Sequence, residues 1–130
     1  MVMPYKYLTE VRGYELDSFG HVNNATYLNY TEQARWNILK ESGFLNDFIK
    51  SGMFLVVVET TIRYVRELKM FDSIEITTTL KQEPPYLIFY QEIFNKTTNE
   101  KSAKAKTKTL LINKERITQD LPPELIHIIK

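Results

Sequence analysis

Between Asn24 and Ser42 the chain carries one helical repeat, and beyond Gly52 it alternates as strands do. Tyr27, Leu28, Thr31, Ala34, Ile38 and Leu39 fall close to the spacing of one helix face, while Asn29, Gln33, Asn37 and Lys40 lie elsewhere. Gly43 follows directly and suits the left-handed position that ends a helix. A lone amphipathic helix needs a surface against which to bury its stripe, and the rest of the chain supplies strands. Lys6 to Tyr14 is rich in β-formers and reads as a first strand ending near Gly13. Met53 to Arg66 begins with Phe54, Leu55, Val56, Val57 and Val58, then alternates through Thr60, Ile62 and Tyr64. Ser73 to Lys81 alternates Ile74, Ile76, Thr78 and Leu80 before Pro84 and Pro85 break the chain. Tyr86 to Phe94 is an aromatic strand, Asn95 to Lys101 a hairpin turn without glycine, and Ser102 to Ile112 a last strand with Lys104, Lys106 and Lys108 on one face. The tail after Asp120 is too short to add much. This order predicts an α+β layer in which one long helix is wrapped by a roughly five-stranded antiparallel sheet.

At 130 residues the chain is expected to form one domain. With 43% hydrophobic residues it can bury a real but modest core, one that a partner subunit would extend. A net charge of +1 provides no general attraction for nucleic acid or an anionic membrane, so any anion site is local. The absence of cysteine excludes disulfides, thiolate nucleophiles and cysteine-bound metals. Nothing approaches the ~18 apolar residues of a membrane span, and the amino terminus lacks an apolar leader, so the expected address is the cytoplasm. The four glycines, at 13, 20, 43 and 52, cannot build a phosphate loop, a dinucleotide fingerprint or a Gly-x-Ser-x-Gly elbow. His21 and His127 are too few and too far apart to suggest zinc.

Chemistry concentrates in the polar, turn-forming stretch Glu15 to Asn24 and the helix that follows it. The string Asp17-x-x-Gly20-His21-Val22-Asn23-Asn24-x-x-Tyr27, continued by Tyr30-x-Glu32-x-Ala34-Arg35, resembles the signature of the 4-hydroxybenzoyl-CoA thioesterase-like hotdog family. From Val11 through Trp36 it is most similar to the bacterial long-chain acyl-CoA thioesterase branch. The resemblance extends to Val56, Val57, Val58, Ile62, Tyr64, Arg66 and Asp72. It departs at Glu67, where the branch commonly has proline, and at Phe71, where it has a small residue, which puts the shape of that turn in question.

Thioester hydrolysis needs a base or nucleophile near the carbonyl carbon and donors aimed at the developing oxyanion. The resemblance implies that Asp17 is the carboxylate, as general base on water or as nucleophile forming a mixed anhydride, and the sequence leaves both open. It implies that the backbone N–H of Asn24, in the first turn of the helix, is an oxyanion donor. His21 and Asn23 lie between and would orient water or the carbonyl. Each has a structural alternative: Asp17 as a turn cap, His21 as a structural hydrogen-bonding group, Asn23 as the helix cap. The acyl chain is expected in a channel between the helix and a partner subunit, lined by Phe19, Tyr27, Phe54 and Val56. Arg63 and Arg66, with the three lysines of the last strand, are candidates for the CoA phosphates; the lysines could equally blunt an exposed sheet edge. Glu32 and Arg35 suit a helix-surface pair, and Glu59 either faces a neighbouring cleft or pairs with Arg63.

The expected function is therefore hydrolysis of an acyl-CoA, a long-chain fatty one by resemblance, to free acid and CoA without metal or organic cofactor. The alternatives are an acyl-thioester binding module and an enoyl-thioester hydratase using Asp17 and His21, whose spacing fits the hydratase pattern poorly. The expected partners are the acyl-CoA and further copies of the chain, joined edge to edge as a homodimer and from there a homotetramer. No nucleic acid and no membrane insertion are expected.

Overall fold

The structure, a computed structural model, describes residues 3–129. Helix α1 (Asn24–Ser42) begins where the Asn23 side chain accepts a hydrogen bond from the Ala25 N–H. It ends where Gly43, at φ 81°, returns its own N–H to the Lys40 carbonyl. Its buried side carries Tyr27, Tyr30, Thr31, Ala34, Ile38 and Leu39. Leu28, expected on that side, is exposed. Leu39 is covered because further helices close over that end of α1.

Five strands form one antiparallel sheet: β1 (Tyr5–Glu10), β2 (Phe54–Tyr64), β3 (Ser73–Glu83), β4 (Tyr86–Asn95) and β5 (Glu100–Ile112). Their order across the sheet is β1-β3-β4-β5-β2. The helix wrapped by five antiparallel strands is thus the arrangement expected. In the β4–β5 turn Asn99 takes the left-handed φ of 62° that glycine would otherwise supply. Lys104 and Lys106 do point away from Ala103, Ala105 and Thr107, which are buried. They do not blunt an edge, however, because β5 is hydrogen-bonded on both sides. The edges are β1 and β2.

The first strand stops at Glu10, short of the expected Gly13, because a 3-10 turn (Gly13–Glu15) is held by the Glu15 carboxylate on the Arg12 N–H at 2.8 Å. Two further helices were not expected. Helix α2 (Leu45–Ser51) follows α1 directly and buries Phe48, and helix α3 (Pro123–His127) buries Leu125. The tail adds much more than its length suggested. Leu121, Leu125 and Ile128 enter the core beside Ile38, Leu39, Phe48, Leu80, Leu87, Phe89 and Leu111, and the Tyr5 hydroxyl donates to the Ile128 carbonyl at 2.7 Å. A second apolar cluster, built on Val11, Val22, Tyr27, Tyr30, Leu68, Ile74, Ile76 and Ile93, packs the other end of α1. Among the described residues no helix is long and apolar enough to cross a membrane.

Truncation of a fully buried side chain leaves a cavity that its neighbours only partly fill. Leu125→Ala is therefore expected to lower unfolding free energy by about 2–5 kcal/mol in denaturant titration. A loss below about 1 kcal/mol would show that the tail is not docked as described.

Candidate active site

The loop before α1 is a closed turn. The Asp17 N–H donates to the His21 carbonyl at 2.7 Å and the Gly20 N–H to the Asp17 carbonyl at 3.1 Å. One carboxylate oxygen of Asp17, Oδ1, accepts the backbone N–H groups of Phe19 at 2.8 Å and His21 at 3.2 Å. Gly20 takes φ 80°, a conformation that a side chain would strain. The turn is anchored from outside by the Val22 N–H on the Leu68 carbonyl and by a bridge between His21 and Lys69. The Asn23 N–H donates to the Glu15 carbonyl at 2.9 Å, and the Glu15 carboxylate accepts the Tyr30 hydroxyl at 2.6 Å. Burial first, and the carboxylate second, push the Tyr30 phenol far above its ordinary value, so it remains a proton donor.

Two groups are left uncommitted by these bonds. Asp17 Oδ2 has no partner among the described residues. The Asn24 N–H, at the first position of α1, has no acceptor there either, as the geometry of a helix start requires. The Asn24 carbonyl accepts the Tyr64 hydroxyl at 3.1 Å, which ties the end of β2 to the start of α1. A carboxylate with one oxygen fixed and one open thus precedes a free amide at the positive end of a helix dipole.

The remaining candidates separate. Asn23 caps α1, His21 is half-buried in the turn, and Phe19 stands at its tip with 83% of its surface exposed. Tyr27 is in the core, edge-on to Tyr64 at 5.0 Å between ring centres, and its phenol is pushed up by burial. Arg63 is exposed opposite Lys104, and Arg66 holds Glu100 at 2.8 Å. Glu59 approaches Lys108 at 3.9 Å on the neighbouring strand rather than Arg63.

An apolar cavity of about 260 Å³ opens between α1, α2 and the β2 side of the sheet. Phe54, Leu55 and Val57 line it from β2, while Val56, Phe19 and Tyr27 do not reach it. Sequence reasoning missed Arg35 and Trp36 here. Arg35 does not pair with Glu32 but donates to Gln91 Oε1 at 3.2 Å. The signal was present in Gln91, a polar residue at an inward position between the apolar Phe89 and Ile93.

Residues 11–129 match the family described as the Thioesterase-like superfamily, and the chain belongs to it. It is 41% identical over 73 residues to the long-chain acyl-CoA thioesterase FadM of Escherichia coli (strain K12), covering 56% of this chain and 55% of that one. It is 34% identical over 113 residues to the chloroplastic acyl-acyl carrier protein thioesterase ATL2 of Arabidopsis thaliana, covering 85% of this chain and 60% of that one. These matches thus span little more than half the length of those relatives. Among solved structures, the probable thioesterase YbaW from Escherichia coli superposes with a TM-score of 0.85 at 30% identity, over 97% of this chain and 99% of that one. Slr0204, a 1,4-dihydroxy-2-naphthoyl-CoA thioesterase from Synechocystis, reaches 0.89 at 21% identity over 98% and 96%, and shares the fold. The sheet curled around α1 is the hotdog fold.

Loss of the cap on α1 would leave an N–H group unpaired at the helix start. Asn23→Ala is expected to cost about 1 kcal/mol in thermal or denaturant unfolding, with Asn23→Asp close to wild type. An alanine variant as stable as wild type would refute the capping role.

Proposed function

We propose that the protein is an acyl-CoA thioesterase, hydrolysing the thioester to a free acid and CoA. The observation that carries this reading is the closed 17–21 turn, which fixes one oxygen of Asp17 and leaves the other open ahead of the unpaired Asn24 N–H. Either the Asp17 carboxylate takes a proton from water as it adds to the carbonyl carbon, and the C–S bond then breaks with that proton passing to the departing CoA thiolate, or Asp17 itself attacks, CoA leaves, and water hydrolyses the mixed anhydride to restore the carboxylate. The Asn24 N–H receives the charge that develops on the carbonyl oxygen. Asn23 and Tyr64 hold the helix start, and Tyr27, packed on Tyr64, acts as a positioning residue. His21 and the exposed Phe19 border the thioester, with Arg63 and Arg66 as partners for the CoA phosphates. The name of the bacterial long-chain acyl-CoA thioesterase FadM favours a long acyl chain as substrate, and the cytoplasm is the site of action in this reading. Against the hydratase alternative, Asp17 meets the backbone of His21 and not its ring.

We further propose that two copies pair through β2. This edge strand exposes Phe54, Val57, Val58 and Tyr64, together with the backbone groups that no neighbour takes up. Such an edge is closed most simply by a second strand of the same kind.

Steady-state hydrolysis of an acyl-CoA series from acetyl to palmitoyl, with an aromatic ester added, tests the chemistry through a thiol-trapping dye. The rate is expected to peak on a long chain and to fall by about 100-fold or more in Asp17→Asn. An unchanged rate in the variant overturns the assignment. Val58, at the bulge of β2, lacks a β5 partner, so Val58→Lys is expected to shift the protein towards monomer in sedimentation equilibrium. The same mass unchanged would place the contact elsewhere, and the wild-type mass separates dimer from tetramer.

A further inference from the structure

The cavity beside α1 is lined by a cation, Arg35, and by a carboxylate, Glu32, that does not pair with it. Arg35 forms no ion pair among the described residues, and the side-chain hydrogen bond it makes goes to the neutral Gln91 Oε1. Gln91 is itself buried, its amide N–H groups are spent on the Thr31 carbonyl and the Thr78 hydroxyl, and being neutral it leaves the guanidinium charge uncompensated. Burial, partly opposed by the charge of Glu32, lowers the Arg35 pKa. The guanidinium carbon lies 5.8 Å from the centre of the Phe89 ring. The wall around it is formed by Trp36, Leu39, Phe48, Phe54, Leu55 and Phe89, and the exposed Glu32 also borders the space. On the same face of β5 as the cavity-lining Thr109, Thr107 carries a buried hydroxyl with no partner among the described residues. Spare guanidinium N–H groups in a planar fork, set in an apolar wall, are the complement of a carboxylate on a hydrocarbon chain.

We propose that this cavity binds the carboxylate of an alkanoic acid, with Arg35 taking the head group and the apolar wall taking the chain. The carboxylate belongs either to a free fatty acid or to an acyl thioester whose chain ends in a second carboxyl group. A geometric link to the reaction centre rests on the dimer and thioesterase readings above. Antiparallel pairing about the middle of β2 brings the partner's Tyr64 towards Phe54, and Tyr64 is the residue bonded to the Asn24 carbonyl. A fatty acid released there then meets an apolar space containing an unpaired cation.

Trp36 is the one tryptophan of the chain and lines the cavity, so its emission reports occupancy. Wild-type protein is titrated with decanoate and with decanol, which share a chain and differ in the head group. Decanoate is expected to shift the emission saturably and to bind at least about tenfold tighter than decanol, the scale of one charge-assisted hydrogen bond. In Arg35→Met that preference is expected to disappear. Equal affinities in wild type, or a preference that survives in the variant, overturn the proposal; the wild-type comparison decides even if the variant fails to fold. The source of the carboxylate is read from hydrolysis of decanoyl-CoA against the CoA monothioester of decanedioic acid. A preference of about tenfold in kcat/KM for the diacid ester, lost in Arg35→Met, assigns the site to the substrate tail. Equal turnover with inhibition by decanoate in wild type alone assigns it to the free acid. Failure to hydrolyse either ester rejects the thioesterase reading, while the Trp36 titration still decides the carboxylate site.

Discussion

One packing relation sets the rest: a single face of α1 is buried along its whole length against the inward faces of β3, β4 and β5. At its amino-terminal end Tyr27, Tyr30 and Ala34 meet Ile74, Ile76 and Ile93, and at the other end Ile38 and Leu39 meet Leu80, Leu87 and Phe89. Between the two apolar clusters lies a polar junction in which Gln91 bonds Thr31 on the helix and Thr78 on the neighbouring strand. Buried polar groups are costly unless paired, so this junction specifies how far the helix can slide along the sheet. With the helix held in place, its start is tied to the preceding segment by the Asn23 N–H on the Glu15 carbonyl. The cavity beside Arg35 opens between α1, α2 and β2.

The turn near the site is reinforced by a second loop whose backbone is strained. Phe71 takes φ 69°, an uncommon conformation for a bulky residue, at one of the two positions where the sequence departs from the branch it resembles. The conformation is imposed by neighbours: the Phe71 N–H donates to the Val11 carbonyl, and the buried Asp72 carboxylate accepts from the Lys69 N–H and the Asn95 side chain. Strain of this kind costs on the order of 1–3 kcal/mol and persists because the surrounding bonds over-determine it. Lys69, one end of this loop, bridges His21, so its shape is transmitted to the candidate site.

The cations of the chain show how position within a sheet changes the meaning of a residue. Lys106 and Lys108 lie over the rings of Tyr90 and Tyr86, at 5.7 Å and 4.8 Å from their centres, on the outer face of an interior strand. Arg66 is compensated by Glu100, whereas Arg35 is half-buried and forms no ion pair among the described residues, the exposed Glu32 acting on it only at longer range. An exposed cation is stabilised by water and a paired one by its partner, but a half-buried unpaired one has neither in full. That difference singles out Arg35 from the other positive groups.

Features governed by short-range chemistry were legible in the sequence. The limits of α1 follow from the Asn23 cap and the Gly43 stop, all five strands from alternation or β-former content, and the turn before α1 from Asp17, Gly20 and Asn23. Helix α2 was hidden because seven residues carry too little periodicity to read, and the docked tail because Leu121, Leu125 and Ile128 show their common face only once a surface receives them. Strand order, the interior place of β5 and the redirection of Arg35 from Glu32 to Gln91, 56 residues away, were decided by tertiary structure alone. Local patterns record which groups prefer which backbone, whereas these contacts depend on which distant surfaces the finished sheet brings together, and no spacing along the chain encodes that.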